Sequence, residues 1–268
     1  LLKEILPGQE CVIHLACISN DSSFELNPVL GKSINLDAFK PLVEISKMNS
    51  VKRFIYASSS SVYGVKSEKN VTEDISLEPL TDYSKFKADC EKILFDYHSE
   101  DFITVVLRPA TVCGYSRRQR LDVVVNILTN LAYHKRSITI FGGKQLRPNI
   151  HIQDMVRAYE ALITAPKSKI SGEIFNAGYE NHTVLELANI VKKNIGNDVK
   201  LNSSPTNDNR SYHISSKKIK KILNFDTHYT ISDAVVDLKH AFENQLLPNS
   251  LNDEKYFNIK RMKSVNLN

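Results

Sequence analysis

The chain has 268 residues, 42% of them hydrophobic and 24% charged, with 35 basic against 30 acidic side chains and a net charge of +5. That length buries one large core or two smaller ones, and the basic residues are dispersed apart from RRQR at 117–120 and KKIKK at 217–221, so nucleic acid is not the expected partner. The four cysteines, Cys11, Cys17, Cys90 and Cys113, show no metal-ligand spacing and read as free thiols; with no membrane-length apolar run and no leader, a cytoplasmic protein without metal or membrane partner is expected.

The chain opens at Leu1 in what reads as a short helix. CVIHLA (11–16), RFIYAS (53–58) and TVVLRPA (104–110) then have the length and composition of buried parallel strands. A helical pattern at 35–49 separates the first two. A second helix, opening at TDYSKFKADC (81–90), separates the second and third, with Thr81 and Asp82 as caps and an apolar stripe through Phe86, Ile93, Leu94 and Tyr97. This alternation predicts a doubly wound α/β fold, in which ligands bind beyond the carboxyl ends of the strands. The stretches that follow those ends are HLACISND, ASSSSVYG and RPATVCGYS. Further on come a helix at 121–134, a strand at 137–143, a helix at 151–165, a strand at 173–178 and a helix at 183–196. The last seventy or so residues are richer in Asn, Ser and Lys, which predicts a second, smaller lobe closing over the sheet.

Tyr83 and Lys87 stand four apart, on one helix face, so they can serve one site; the spacing alone also suits a surface helix with an incidental pair. A free phenol is a poor base near neutrality, and an adjacent ammonium favours its ionised form.

In order and approximate spacing, HLA at 14–16, Asn35 in SINLDAF, SSSSVYG at 58–64, YxxxK at 83–87, RPATVCG at 108–114 and RPNIHIQD at 147–154 make the chain resemble the extended short-chain dehydrogenase/reductases, specifically the nucleotide-sugar epimerase/dehydratase family. The resemblance implies a Rossmann-type dinucleotide domain over 1–115 and about 148–182, with a substrate lobe over about 116–147 and 183–268. It implies Ser59, Tyr83 and Lys87 as catalytic residues, and His14, Leu15, Ala16, Asn35 and Pro109, with Tyr83 and Lys87, as the lining of an NAD or NADP site. Ser59, Thr111, Arg118, Gln119, Arg147 and Arg210 would meet a nucleotide-diphosphate sugar, Arg147 and Arg210 on its phosphates and Arg118 and Gln119 from a substrate loop. The reaction implied is transient oxidation of a sugar hydroxyl to a keto intermediate by an epimerase, with a keto-sugar reductase or a non-catalytic binding protein on the same fold as alternatives. A homodimer is implied through residues 35–48 and 82–98, with Lys40, Glu44 and Lys47 at or beside the interface. His14 reads equally as a strand-end core residue, and His151 and Asp154 as fixing a strand-to-helix turn.

Three departures modify the expectation. Ser60 and Ser61 stand where dehydratases of the family carry an Asp-Glu pair, which disfavours water elimination. Thr111 and Cys113 replace the Asn and Tyr of many members. No GxxGxxG turn occurs in the 268 residues, so the chain is expected to be an N-terminally incomplete form that binds dinucleotide poorly as it stands.

Overall fold

The computed structural model describes residues 1–68, 70–206, 211 and 213–267. In chain order the elements are α1 (Leu2–Ile5), β1 (Cys11–His14), α2 (Asp21–Phe24), α3 (Pro28–Lys32), a π-helical turn (Ser33–Asp37), α4 (Phe39–Met48), β2 (Arg53–Ala57), a 3-10 turn (Ser60–Tyr63), α5 (Asp82–Asp96), β3 (Ile103–Pro109), β4 (Thr111–Cys113) and α6 (Val124–Lys135). They continue with β5 (Ser137–Phe141), β6 (Leu146–His151), α7 (Ile152–Thr164), α8 (Lys167–Ile170), β7 (Glu173–Ala177), β8 (Glu180–Thr183), α9 (Val184–Ile195), β9 (Lys200–Ser204), α10 (Lys217–Leu223), α11 (Ile231–Glu243), a 3-10 turn (Glu254–Tyr256) and α12 (Asn258–Ser264). Among the described residues no helix is long and apolar enough to cross a membrane.

The central sheet is parallel throughout, in the order β1-β2-β3-β7. Its strands are apolar at consecutive positions because both faces are covered. Phe54, Tyr56 and Val106 point to the face packed by Phe39 and Val43 of α4 and Cys90 and Leu94 of α5. Ile55, Val105 and Leu107 point to the opposite face, under Met155, Ala158 and Leu162 of α7. The fold is thus doubly wound, as its alternating strands and helices predict. A separate core gathers α6, α9 and α11 around β5 and β9, with Val125, Leu128, Ile138, Leu187, Val191 and Val235 buried.

Several elements fall short of their expected lengths: the strand at 137–143 ends at Phe141, and the helix at 35–49 becomes α-helical only at Phe39, after the π-helical turn. β1 ends at His14, and Leu15 and Ala16 turn out to solvent. The helix at 121–134 starts only at Val124, and the Leu121 amide ahead of it donates to the Tyr256 carbonyl at 2.8 Å. The short strands β4, β6 and β8, which form a sheet of their own, carry no periodicity long enough to predict them.

His14 closes β1 inside an aromatic cluster, with ring centroids 5.4 Å from Phe39, 6.3 Å from Phe54 and 6.0 Å from Tyr56. Burial, and then the charge of Lys87, push its pKa down to about 4 from 6.5. A buried ionic network lies behind the sheet's carboxyl end. Arg108 of β3 meets Glu91 of α5 in a fork, Nε to Oε1 at 3.0 Å and Nη2 to Oε2 at 2.6 Å, and Nη1 donates to the Tyr63 hydroxyl at 2.8 Å. Tyr63 in turn donates to Asn176 Oδ1 at 2.7 Å, and Ser58 Oγ donates to Glu91 Oε1.

Two outcomes follow. Glu91→Gln leaves a guanidinium buried without its counter-charge and is expected to lower unfolding free energy by about 3 kcal/mol in urea titrations. For His14 the unfolded chain takes up the proton first as pH falls, so stability declines between about 6.5 and 4. Urea titrations across that window should show the decline flattened in His14→Gln, by up to about 3 kcal/mol at the acid end.

Candidate active site

The carboxyl ends of β2 and β3 and the first turn of α5 converge on one cleft. After β2 the chain runs extended through Ser59, whose hydroxyl caps the following 3-10 turn by accepting from the Ser61 amide at 3.1 Å. Gly64 ends that turn at φ +69°, where an added Cβ would lie 2.1 Å from the Glu78 carbonyl oxygen, so only glycine fits the backbone there. Thr81 caps α5 through a reciprocal pair with Ser84, as expected of it, whereas Asp82 is already helical and ion-pairs with Lys85 at 3.0 Å.

The cleft has a volume of about 550 Å³. Ser59, Tyr83, Pro109, Thr111, Arg147 and Leu15 all line it, so the sequence-predicted residues from five separate segments meet in one place. Lys87 is buried beside Tyr83, its Nζ 5.9 Å from the Tyr83 ring centroid and 4.9 Å from that of Tyr56, donating to the Ala57 carbonyl at 2.6 Å. Arg147 Nη1 donates to the Leu146 carbonyl at 3.0 Å.

The expected effect of lysine on the phenol does not appear in this structure. Tyr83 is held above the ordinary phenol pKa, first by burial and then by Cys17 and Asp21, while Arg120 and a hydrogen bond with Ser59 pull the other way. Desolvation outweighs the nearby positive charge because the phenolate loses its water shell.

Other predicted residues are directed elsewhere. The Asn35 amide is occupied by the backbone of Ile18, accepting from its N–H at 2.8 Å and donating to its C=O at 2.9 Å, so it holds the segment after β1 in place. Gln119 is buried within its own loop, accepting from the Ser116 amide at 2.9 Å and donating to the carbonyls of Gly114 at 3.2 Å and Arg120 at 2.9 Å. Ala16 is exposed and borders no part of the cleft. Arg118 is exposed and borders an adjoining cavity, and Arg210 lies outside the described residues. His151 caps α7 by accepting from the Gln153 amide at 3.2 Å, and Asp154 accepts from the amides of His228 and Tyr229, so both fix chain turns.

Sequence reasoning missed Arg120. Its guanidinium lines the cleft, bonded to Asp122 Oδ1 at 2.9 Å and Ser19 Oγ at 3.2 Å. The only trace of it in the sequence is its place in the basic cluster at 117–120. Asp21 and Asp122 also line the cleft, and both are engaged, Asp21 by Thr81 Oγ1 and Asp122 by Arg120 and the Asn258 amide.

The residues present suit the nicotinamide-ribose end of a dinucleotide. Ala57 is the only hydrogen-bond acceptor of the Lys87 ammonium among the described residues, which leaves two of its three N–H groups for a ribose. Pro109 supplies an apolar wall nearby.

A match to the family described as the NAD dependent epimerase/dehydratase family runs over residues 2–178. An uncharacterized UDP-glucose epimerase of Bacillus subtilis (strain 168), YtcB, is 30% identical over 244 residues, 88% of this chain and 75% of that protein. Among solved structures, UDP-glucose 4-epimerase from Thermotoga maritima with UDP-glucose superposes with a TM-score of 0.82 at 25% identity, over 91% of this chain and 81% of the other. UDP-glucuronic acid 4-epimerase from Bacillus cereus, in complex with UDP-glucuronic acid and NAD, does so with a TM-score of 0.81 at 27% identity, over 91% and 78%. With the family match over most of its length, the chain belongs to the NAD-dependent epimerase/dehydratase family of sugar-nucleotide enzymes.

Proposed function

We propose that this protein is a nucleotide-sugar epimerase, acting through transient oxidation of a sugar hydroxyl to a ketone. The observation that carries the reading is the convergence of Ser59 and Tyr83 on one cleft, with Lys87 beside them and serines at positions 60 and 61. NAD, when bound, supplies the acceptor for the hydrogen leaving the sugar carbon. Tyr83 takes the hydroxyl proton, and Ser59 holds the same oxygen through its hydroxyl. Arg120 and the hydrogen bond with Ser59 favour the phenolate, and Lys87 stands 5.9 Å from the Tyr83 ring centroid. Inversion would follow when the carbonyl carbon regains its hydrogen on the opposite face while Tyr83 gives its proton back to the oxygen, with no net change in cofactor.

Against dehydration stands the chemistry of the turn. Ser61 Oγ lies 2.9 Å from Ser59 Oγ and Ser60 is buried, so neither position offers the carboxyl acid and base that elimination demands. The domain division at 1–115 with about 148–182, against the remainder, belongs to the same reading, with Thr111 taken as a substrate contact and Arg147 as a diphosphate contact. So does a homodimer over α4 and α5, where Lys40 and Glu44 approach to 3.8 Å and Lys47 Nζ donates to the Tyr97 carbonyl at 2.7 Å.

The test is product analysis with NAD and UDP-glucose. The expected result is an epimer mixture without net cofactor turnover, and a loss of at least ~100-fold in kcat for Tyr83→Phe. Stoichiometric consumption of reduced cofactor on a keto-sugar would replace this reading by a reductase, and saturable NAD binding with no product by a non-catalytic protein. Because Tyr83 acts as a base and stands above its ordinary value, kcat/KM should rise with pH from neutrality, and Arg120→Gln should displace that rise to higher pH.

A further inference from the structure

Beside the cleft lies a second cavity, of about 370 Å³, that shares Leu15, Ser19 and Arg120 with it. Its polar lining is one-sided. Arg118, Arg120 and Arg261 bring guanidinium groups, Ser19, Ser23 and Asn258 bring neutral ones, and among the described residues no carboxylate lines it. The arginines are tied back from outside or from the rim: Arg118 Nη2 to Asn258 Oδ1 at 3.3 Å, Arg261 Nη1 to Glu254 Oε1 at 2.8 Å, and Arg120 Nε to Asp122 Oδ1 at 2.9 Å.

Two polar atoms in this wall are left over. Arg120 Nη2 and Ser23 Oγ are both buried without a hydrogen-bond partner among the described residues, and the Ser23 side chain is wholly buried. An unpaired buried donor costs about 1–3 kcal/mol, more where it is charged, so two of them in one cavity wall is an arrangement that an acceptor would relieve. Both can donate, and the surrounding charge is positive, so the acceptor that fits is an anion.

We infer that this second cavity binds a small oxyanion, a carboxylate or a phosphate, through Arg120 Nη2 and Ser23 Oγ, with Arg118 and Arg261 adding positive charge at its rim. The anion has two sources of the same chemistry. It is either a free ion or an anionic group on the sugar of a nucleotide sugar whose reacting carbon lies at Tyr83, since Arg120 borders both spaces. The second source rests on the epimerase reading, whereas the site itself does not.

The test is calorimetric titration of the full chain with inorganic phosphate, and separately with UDP-glucuronate and UDP-glucose. Saturable phosphate binding, weakened at least tenfold in Ser23→Ala and also reduced in Arg261→Gln, is the result expected of a free-ion site. A tenfold or greater preference for UDP-glucuronate over UDP-glucose that vanishes in Ser23→Ala is the result expected of a sugar-borne anion. Ser23→Ala should keep or raise the melting temperature without ligand, because it removes an unpaired buried hydroxyl. No saturable phosphate binding together with equal affinity for the two nucleotide sugars overturns the site and leaves the epimerase reading standing. Phosphate binding sensitive to Ser23→Ala, with neither nucleotide sugar bound, does the reverse.

Discussion

The geometry of the cleft depends on a charge pair that never reaches it. Arg108 and Glu91 are both almost wholly buried, and their two-pronged contact joins the strand that ends at Pro109 to the helix that begins beside Tyr83. Such a pair adds little net stability over apolar packing, because desolvating two ions offsets most of their attraction. What it supplies is direction, since a guanidinium fork accepts a carboxylate in few orientations. Tyr83, Lys87 and Glu91 follow one another at intervals of four on α5, so the rotation fixed at Glu91 is the rotation delivered to Tyr83. Ser58 bonds to the same carboxylate, which ties the backbone just before Ser59 to the same reference point.

The electrostatics of the cleft follow from that rigidity. Tyr83 sits in a partly dry place with Cys17 and Asp21 near it, which raises the cost of losing its proton, and the groups that lower this cost come from two different segments: Ser59 after β2 and Arg120 before α6. The ionisation of this phenol is governed by groups that the fold brings together, with no single neighbour deciding it. The same arginine also connects the cleft to the space on its other side.

Much of this was legible in the sequence because it rests on local pattern. β2, β3 and α5 announce themselves through apolar runs and a capped helical stripe, and the YxxxK spacing survives intact as one helix face. What could not be read rests on contacts between distant segments. The ending of β1 at His14 and the delayed start of α6 leave no local signal, and the inward turn of Gln119 is made by bonds to the Ser116 amide and the Gly114 and Arg120 carbonyls. Asn35 shows the limit most plainly, since a polar residue in the right motif spends one donor and one acceptor of its amide on the backbone of the loop after β1. The elevated phenol of Tyr83 was equally hidden, because spacing reveals the neighbouring ammonium and says nothing of the water that packing removes.

The wall between the two spaces is completed from far along the chain. Asn258, at the start of α12, donates to Ser19 Oγ at 3.0 Å across 239 positions of sequence, and its amide donates to Asp122 Oδ2 at 2.8 Å. During synthesis the cavity beside the cleft therefore cannot take its shape until residue 258 has left the ribosome, whereas the sheet and the Tyr83 helix lie wholly within residues 11–177.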